Sequence, residues 1–417
     1  MKVALLKSRI ENRGGLEKAT KTLATAFQQR GCEVSLLTTG SEHGINLETA
    51  IRDGKVVQDF DAESHRAGDT HSQMVKGSPA LCDYGSKDCI NLPSPIAVSR
   101  INVSSTSKFS LYHHLKFDAA CRFYLKKNPH DIVFGMERNR SQTHYRAGCG
   151  VHAAYLERRK LFEGAAKFYL NPLHRFLLSQ EKAAFEDPNL LRLFTNSYMV
   201  KEEILSYYRV KPEKIIVVHN GVEWDEFEKP FQEKKKSDCP TFLFVGNGYQ
   251  RKGLTYLLKA LPSGCRLLVV GREKNLSYFQ KLAPKNVTFY GPQADLIPFY
   301  QVADALVIPS LYDPFANVTT EALAMGVYVV SSKFNGGHEI LKQETGYIID
   351  DLFSKEAMES ALQTALTTSI NPLLIRNSVK ALDFSFQLSK IVDTTLYPNN
   401  LKNWIWTDVK APAIERS

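Results

Sequence analysis

Residues Leu306 to Gly326 read LVIPSLYDPFANVTTEALAMG. An apolar strand, Leu306 to Pro309, runs into a loop carrying Asp313 and Pro314, then into a helix whose first turns hold Thr319, Thr320 and Glu321. Open α/β sheets bind ligands beyond the carboxyl ends of their strands, where a helix N-terminus offers unpaired N–H groups to anions. The backbone of Phe315, Ala316, Asn317 and Val318 falls at that position. Asp313 and Glu321 are separated by seven residues, one acid in the loop and one on the helix. A carboxylate accepts hydrogen bonds from adjacent sugar hydroxyls, so the pair suits two sugars of one ligand. Two acids at this spacing also arise by chance, so the decision rests on their surroundings.

Upstream, Thr241 to Val245 begins a strand-turn-helix unit: FLFV, then Gly246, then Asn247-Gly248-Tyr249-Gln250-Arg251-Lys252-Gly253, then a helix over Leu254 to Leu261. Two cations beside a glycine-bearing strand-to-helix turn suit a pyrophosphate, because they neutralise the charge that grows as a nucleoside diphosphate departs. A surface Arg-Lys pair is the plain alternative, and the strand-turn-helix context favours the functional one. Strands follow at Leu267 to Gly271, Val287 to Tyr290 and Tyr328 to Ser331, with helices at Leu276 to Leu282 and Leu296 to Ala303.

In this form the chain resembles the retaining glycosyltransferases of family 4, whose signature is Glu-x7-Glu before a helix ending in Gly, with Arg-Lys-Gly about 60 residues earlier. The resemblance implies the GT-B fold, an α/β architecture of two doubly wound Rossmann-like domains facing a cleft. It also implies that Asp313 and the amides of Phe315 to Val318 meet the transferred sugar, Glu321 binds the ribose, and Arg251 and Lys252 stabilise the leaving diphosphate. Gly14 and Gly15 would approach that diphosphate after the first strand, Gly246 would approach it at the Arg-Lys turn, and Gln293 would lie at the strand-end loop contacting the base. Asp313 stands where the family usually has Glu, and Ala316 where Gly is common. Asp is one methylene shorter, so the sugar sits differently or is a different sugar. Within the family the chain looks most like enzymes that glycosylate the lipopolysaccharide inner core. The implied donor is UDP-glucose or similar, and the acceptor a glycolipid or polysaccharide. Asn220-Gly221-Val222 matches a recurrent segment joining the domains, and Glu339 in Gly336-Gly337-His338-Glu339 reads as structural.

The opening strand, Val3 to Leu6, leads to Gly14-Gly15 and a helix running to Arg30. These glycines are adjacent, so the G-x-G-x-x-G fingerprint of nicotinamide-binding folds fails. Glu33 to Thr38 reads as a strand, and polar residues 41–92 as an inserted loop region. Within that region Asp59-Phe60-Asp61 has the D-x-D form of metal-dependent transferases of another fold; it reads here as a solvated turn, and no metal is expected. A helix over Leu111 to Lys126 and a strand over Asp131 to Phe134 follow. Glu137 to Arg140, His144 to Arg146 and Gly148 to His152 then place polar groups past strand ends. His152 suits a sugar hydroxyl or a moving proton, or a purely structural place. Arg158-Arg159-Lys160 with Phe162, Phe168, Tyr169, Leu173, His174 and Phe176 reads either as a docking face for an anionic membrane or as an amphipathic helix on its own domain.

The expected domains are 1–187 for the acceptor and 188–384 for the nucleotide-sugar, with about 385–417 packing back on the first. A content of 43% hydrophobic and 23% charged residues marks a globular chain. Seven scattered cysteines without a C-x-x-C pair favour reduced thiols over a disulfide framework or a zinc site. A charged, short N-terminal segment is no secretory signal, and cytoplasmic location is the default. The net charge of +9 is uneven: residues 1–200 carry 28 Lys and Arg against 20 Asp and Glu. That excess suits an anionic membrane or phosphorylated acceptor, and no nucleic-acid motif accompanies it. No cofactor is required beyond the nucleotide-sugar co-substrate. Two rival classes share the architecture. A phosphorylase-like enzyme needs a pyridoxal lysine, for which Lys333 is a poor candidate, and a non-catalytic sugar- or membrane-binding protein would show no turnover.

Overall fold

The computed structural model describes residues 1–8, 15–39, 56–61, 97–102, 110–163, 171–231, 239–369 and 371–398, with backbone alone for 56–61, 97–102, 110–111 and 162–163. The chain divides into two units, Met1–Phe134 and Gly135–Ser417.

The first unit carries β1 (Lys2–Leu6), β2 (Glu33–Thr39), β3 (Val56–Asp61), β4 (Ala97–Asn102) and β5 (Ile132–Gly135, whose last residue crosses the boundary), in the order β3-β4-β2-β1-β5. The β1–β2, β2–β4 and β3–β4 pairs are parallel. Near-continuous apolar runs such as Val3 to Leu6 are what a parallel sheet covered on both faces requires. Helices Gly15–Gln29 and Ser110–Lys127 supply cover, burying Leu23 and Phe27 from one and Phe117 and Cys121 from the other. One expectation is overturned here. Asp59-Phe60-Asp61 is not a turn but the end of β3, in register with Arg100, Ile101 and Asn102, so residues 41–92 are not wholly loop. The polar alternation Val-Val-Gln-Asp-Phe-Asp hid a strand that is completed by its neighbour's pairing rather than by its own apolar content.

The second unit contains a short parallel series, β6 (His144–Arg146), β7 (Arg192–Thr195) and β8 (Ile215–Val217), and then a six-stranded sheet. The latter is built from β9 (Thr241–Val245), β10 (Arg266–Val270), β11 (Val287–Gly291), β12 (Ala305–Ile308), β13 (Tyr328–Ser332) and β14 (Gly346–Ile349), in the order β11-β10-β9-β12-β13-β14. All of its pairings are parallel. The order reverses between β9 and β12, and a doubly wound sheet binds its ligand at such a switch point. Arg251, Lys252 and Asp313 all follow one or other of these two strands. The crossing expected near Pro188 falls inside this unit, just ahead of β7, and His144 to Arg146 form a buried strand rather than a segment past one.

The helix Phe384–Leu396 forms as expected and is tied to this unit where Phe384 N–H donates to the Val222 carbonyl at 2.9 Å and Val222 N–H donates to that of Leu382 at 2.9 Å. Trp404 and Trp406 lie outside the described residues, as do Gly14, Phe168, Tyr169, Cys82 and Cys89. The described cysteines are free thiols. Among the described residues no helix is long and apolar enough to cross a membrane.

Gly253 fixes the start of the helix Leu254–Ala260. Its φ of +77° lies in the left-handed region, and a Cβ there would stand 1.7 Å from the Pro309 carbonyl oxygen. Both the conformation and the contact demand glycine. Gly253→Ala is expected to cost about 2–4 kcal/mol of stability, read as a lowered midpoint in thermal or urea unfolding. An unchanged midpoint would show that the turn relaxes freely.

Candidate nucleotide-sugar site

The turn after β9 and the loop after β12 lie side by side. Arg251 C=O accepts from Leu311 N–H at 2.9 Å, and the Arg251 guanidinium returns Nη1–H to the Tyr312 carbonyl at 2.9 Å. This clamp brings Lys252 Nζ into a hydrogen-bonded ion pair with Asp313 Oδ2, while Arg251 Nη1 stands 3.8 Å from the same oxygen. Lys252 and Asp313 are each 8% exposed. The aliphatic stem of Lys252 lies along Gly246, where a Cβ would come within 3.0–3.2 Å of its carbons. Gly246, Arg251, Lys252 and Asp313, all expected at one site, lie together in space.

The carboxylate is aimed by its own loop. Asp313 N–H donates to the Phe334 carbonyl and Gly336 N–H to the Asp313 carbonyl, both at 2.9 Å, while Phe315 N–H donates to Asp313 Oδ1 at 3.2 Å. Asn335, wholly buried, accepts at Oδ1 from Ala316 N–H at 2.9 Å and Gly337 N–H at 3.1 Å, and donates from Nδ2 to Ser331 Oγ at 3.0 Å. The amides of Phe315 and Ala316 are therefore spent on the loop. Those of Asn317 and Val318, in the first turn of the helix Asn317–Ala324, have no carbonyl one turn back within the helix. Of the four amides expected to face the sugar, the loop's own hydrogen bonds engage those of Phe315 and Ala316.

Glu321 lies one turn further along, and the Tyr300 hydroxyl donates to its Oε2 at 2.8 Å. Burial, with the Glu321 charge added, pushes the Tyr300 phenol far up, so it remains a donor. Gln293 is exposed after β11 and its amide turns back to the Tyr290 carbonyl at 2.9 Å. Gly15 opens the helix Gly15–Gln29 in the first unit.

His152 begins the helix His152–Glu163. Its N–H donates to Glu181 Oε1 at 2.7 Å, and its Nε2 lies 3.1 Å from His174 Nδ1. Burial and the Arg138 charge press its pKa down to about 4, so the ring is neutral at physiological pH. It is joined to the Asp313 loop through its neighbours: Val151 N–H donates to the Tyr312 hydroxyl at 2.8 Å, and a Cβ on Gly150 would strike that hydroxyl and Pro314. In the basic stretch that follows, Arg158 turns inward, 4.0 Å over the Phe334 ring and 3.6 Å from Glu203.

Sequence reasoning missed the second function of Tyr312. Its hydroxyl donates either to the Val151 carbonyl at 3.2 Å or to Glu203 Oε2 at 3.0 Å, and its ring belongs to the core of the β6–β8 layer. Glu203 comes from the helix Tyr198–Tyr207, and burial raises its pKa to about 7. An acid raised in the folded state keeps its proton there while the unfolded chain has lost it. The folded chain thus binds more protons between the ordinary value of 4.5 and about 7, and stability falls as pH rises across that window. Glu203→Gln preserves an acceptor for Tyr312 and removes the titration. The variant should match the parent in thermal midpoint near pH 4.5 and exceed it by several degrees at pH 8; parallel curves at all pH values would refute this.

Two family models cover consecutive parts of the chain: Glycosyltransferase Family 4 over residues 86–226 and Glycosyl transferases group 1 over residues 225–378. The lipopolysaccharide glucosyltransferase WaaG of Escherichia coli (strain K12) is 26% identical over 66% of this chain and 78% of its own. An uncharacterized glycosyltransferase of Methanocaldococcus jannaschii is 31% identical over 38% of this chain, a match that spans less than half (46%) of that relative's length. The crystal structure of WaaG, a glycosyltransferase involved in lipopolysaccharide biosynthesis, superposes with a TM-score of 0.66 at 20% identity, covering 94% of this chain and 98% of that one. Anabaena HepE in complex with UDP-glucose superposes at 0.58 with 13% identity, over 95% and 99%. These likenesses establish the GT-B fold expected from the two βαβ series. Both the buried Lys-Asp pair at the switch point of the second sheet and the two consecutive matches along the sequence are accounted for together: the chain belongs to the family 4 glycosyltransferases.

Proposed function

We propose that the protein transfers a hexose from a nucleotide-sugar, UDP-glucose or a close relative, to a glycolipid or polysaccharide acceptor in lipopolysaccharide core assembly. The transfer retains the anomeric configuration and needs no metal ion. The observation that carries the reading is the Lys252–Asp313 pair, with Arg251 beside it and Glu321 on the helix that follows Asp313. A departing nucleoside diphosphate gains negative charge, and fixed cations that meet it in a poorly hydrated site lower the barrier. Lys252 and Arg251 supply that charge from the protein itself, which is why no metal is invoked. The similarity to WaaG supports the acceptor class, and the UDP-glucose complex of HepE supports the donor.

In this mechanism the diphosphate takes up the cations and Asp313 is released toward the sugar hydroxyls, with the amides of Asn317 and Val318 orienting the same ring. Glu321, one oxygen held by Tyr300, receives the ribose hydroxyls. An acceptor hydroxyl oxygen attacks the anomeric carbon from the face the diphosphate leaves. The carbon–oxygen bond to phosphate breaks, and the hydroxyl proton passes to the departing phosphate oxygen. His152, neutral at physiological pH, hydrogen-bonds near the acceptor. Membrane association through the basic N-terminal half would bring the enzyme to a lipid-borne acceptor, a role in keeping with a cytoplasmic, peripheral enzyme.

A screen of UDP, GDP, ADP and CMP with their sugars by thermal shift should show one selective stabilisation, growing as RT ln(1 + [L]/Kd) and lost in Arg251→Ala. Lys252→Ala should lower kcat by about tenfold or more, since its charge acts on the transition state. Glu321→Ala should raise donor KM as well as lower kcat. An α-linked product from an α-configured donor, formed unchanged in EDTA, is the expected stereochemical and metal result. A complete lack of nucleotide binding would favour a non-catalytic sugar-binding role.

A further inference from the structure

The end of β6 holds a cation whose charge is not matched by any described side chain. Arg146 is 7% exposed, and among the described residues its one side-chain hydrogen bond is Nη2–H to Asn220 Oδ1 at 2.9 Å, with no carboxylate in ion-pair range. Other inward-turned arginines of the same unit are differently placed. Arg138 pairs with Glu181 at 2.8 Å, and Arg376 donates to the Phe227 and Ala324 carbonyls while stacking on Trp224. A guanidinium has five N–H donors, and a buried one lacking a counter-charge carries an uncompensated desolvation cost. Burial lowers the Arg146 pKa to about 10, which leaves it charged at neutral pH.

The hydrogen-bond chain continues toward the proposed sugar position. Asn220 follows β8, and its Nδ2–H donates to Asn317 Oδ1 at 2.8 Å. Asn317 is the first residue of the helix whose leading amides are left for a ligand, so the positive end of that helix and the Arg146 cation converge on one corner. The nearest acid of the loop, Asp313, is already engaged by Lys252. A neutral hexose offers hydroxyls to this corner and leaves both positive charges unanswered. A carboxylate or phosphate answers both, and Arg is the side chain whose fork fits either group.

We propose that Arg146 is a specificity-determining residue that receives an anionic substituent, a carboxylate or phosphate ester, on one of the two sugar substrates. This rests on the nucleotide-sugar reading above and deepens it by naming the charge of a substrate. The anion belongs to the transferred sugar, as in a uronic acid donor, or to the acceptor glycan, and the two sources are separable.

The test is calorimetric titration of the full chain. The donor arm compares UDP-glucuronate with UDP-glucose. The acceptor arm compares glucose 6-phosphate and glucuronate with glucose, each with and without UDP present. In one arm the anionic member should bind about tenfold or more tighter than its neutral counterpart, and the arm that shows it identifies the source. Arg146→Gln should abolish that preference while leaving the affinity for UDP itself unchanged, and Arg146→Lys should retain part of it, since charge survives without the fork. Equal binding of charged and neutral sugars by the parent in both arms, or a preference that survives in Arg146→Gln, would overturn the assignment. Should Arg146→Gln fail to fold, the parent comparison and Arg146→Lys still decide. Failure of UDP to bind would count against the nucleotide-sugar reading alone, because the titrations without UDP test Arg146 separately.

Discussion

Withdrawing an ammonium and a carboxylate from water together costs several kcal/mol per ion, and their attraction recovers this only when the geometry is held. Lys252 and Asp313 are in that position, and much of the surrounding chain can be understood as the means of holding them. Gly246 lets the lysine stem pass. Gly253 turns the chain so that Lys252 ends on the loop side. Asn335 fixes the backbone on either side of Asp313, and Arg251 locks the two loops to each other. A pair held this way is poised for exchange. In the proposed mechanism a diphosphate and a sugar hydroxyl replace each partner for the other, so the desolvation already incurred in forming the pair lowers the cost of binding.

Buried carboxylates are used differently elsewhere in the same unit. Glu181 accepts from the amides of His152 and Ala153, and Glu339 from those of Tyr198 and Met199, so two helix N-termini are closed by glutamates from distant elements. The helix Asn317–Ala324 receives no such acid at its start, only the Asn335 amide oxygen on Ala316 N–H. One positive helix end is left open where two others are neutralised, and it is the one beside the Lys-Asp pair. It is the end at which the proposed mechanism places the sugar.

Much of this was legible in the amino-acid order, for a physical reason. The strands of the six-stranded sheet are apolar on both faces, so runs such as FLFV and ALVI announce themselves without a partner, and Thr241–Val245 and the helix Leu276–Leu282 appear at the residues expected. The Arg-Lys turn and the two acids were legible because they sit at strand ends in a repeating pattern. What was not legible depends on tertiary pairing. β3 is polar and exists through its register with β4. The three-residue β6 is too short to show periodicity. Asn335 drew no notice in the sequence, its hub position being set by a fold that brings Ala316 within reach. Of the four amides expected to face the sugar, loop closure engages two, a bonding that no sequence pattern announces.

Tyr312 belongs to two structures at once. Its backbone lies in the loop of the six-stranded sheet, one residue from Asp313, while its ring is packed in the core of the β6–β8 layer and its hydroxyl is held by Val151 and Glu203. Such a residue acts as a mechanical rivet. Sliding the two layers past each other must either extract a large aromatic side chain from its core or drag the loop with it, so their relative displacement and the aim of the Asp313 carboxylate form a single coordinate. The loop is not loosened locally: its rigidity is borrowed from a neighbouring layer, and a substitution deep in that layer would be felt as a change in where the Asp313 carboxylate points.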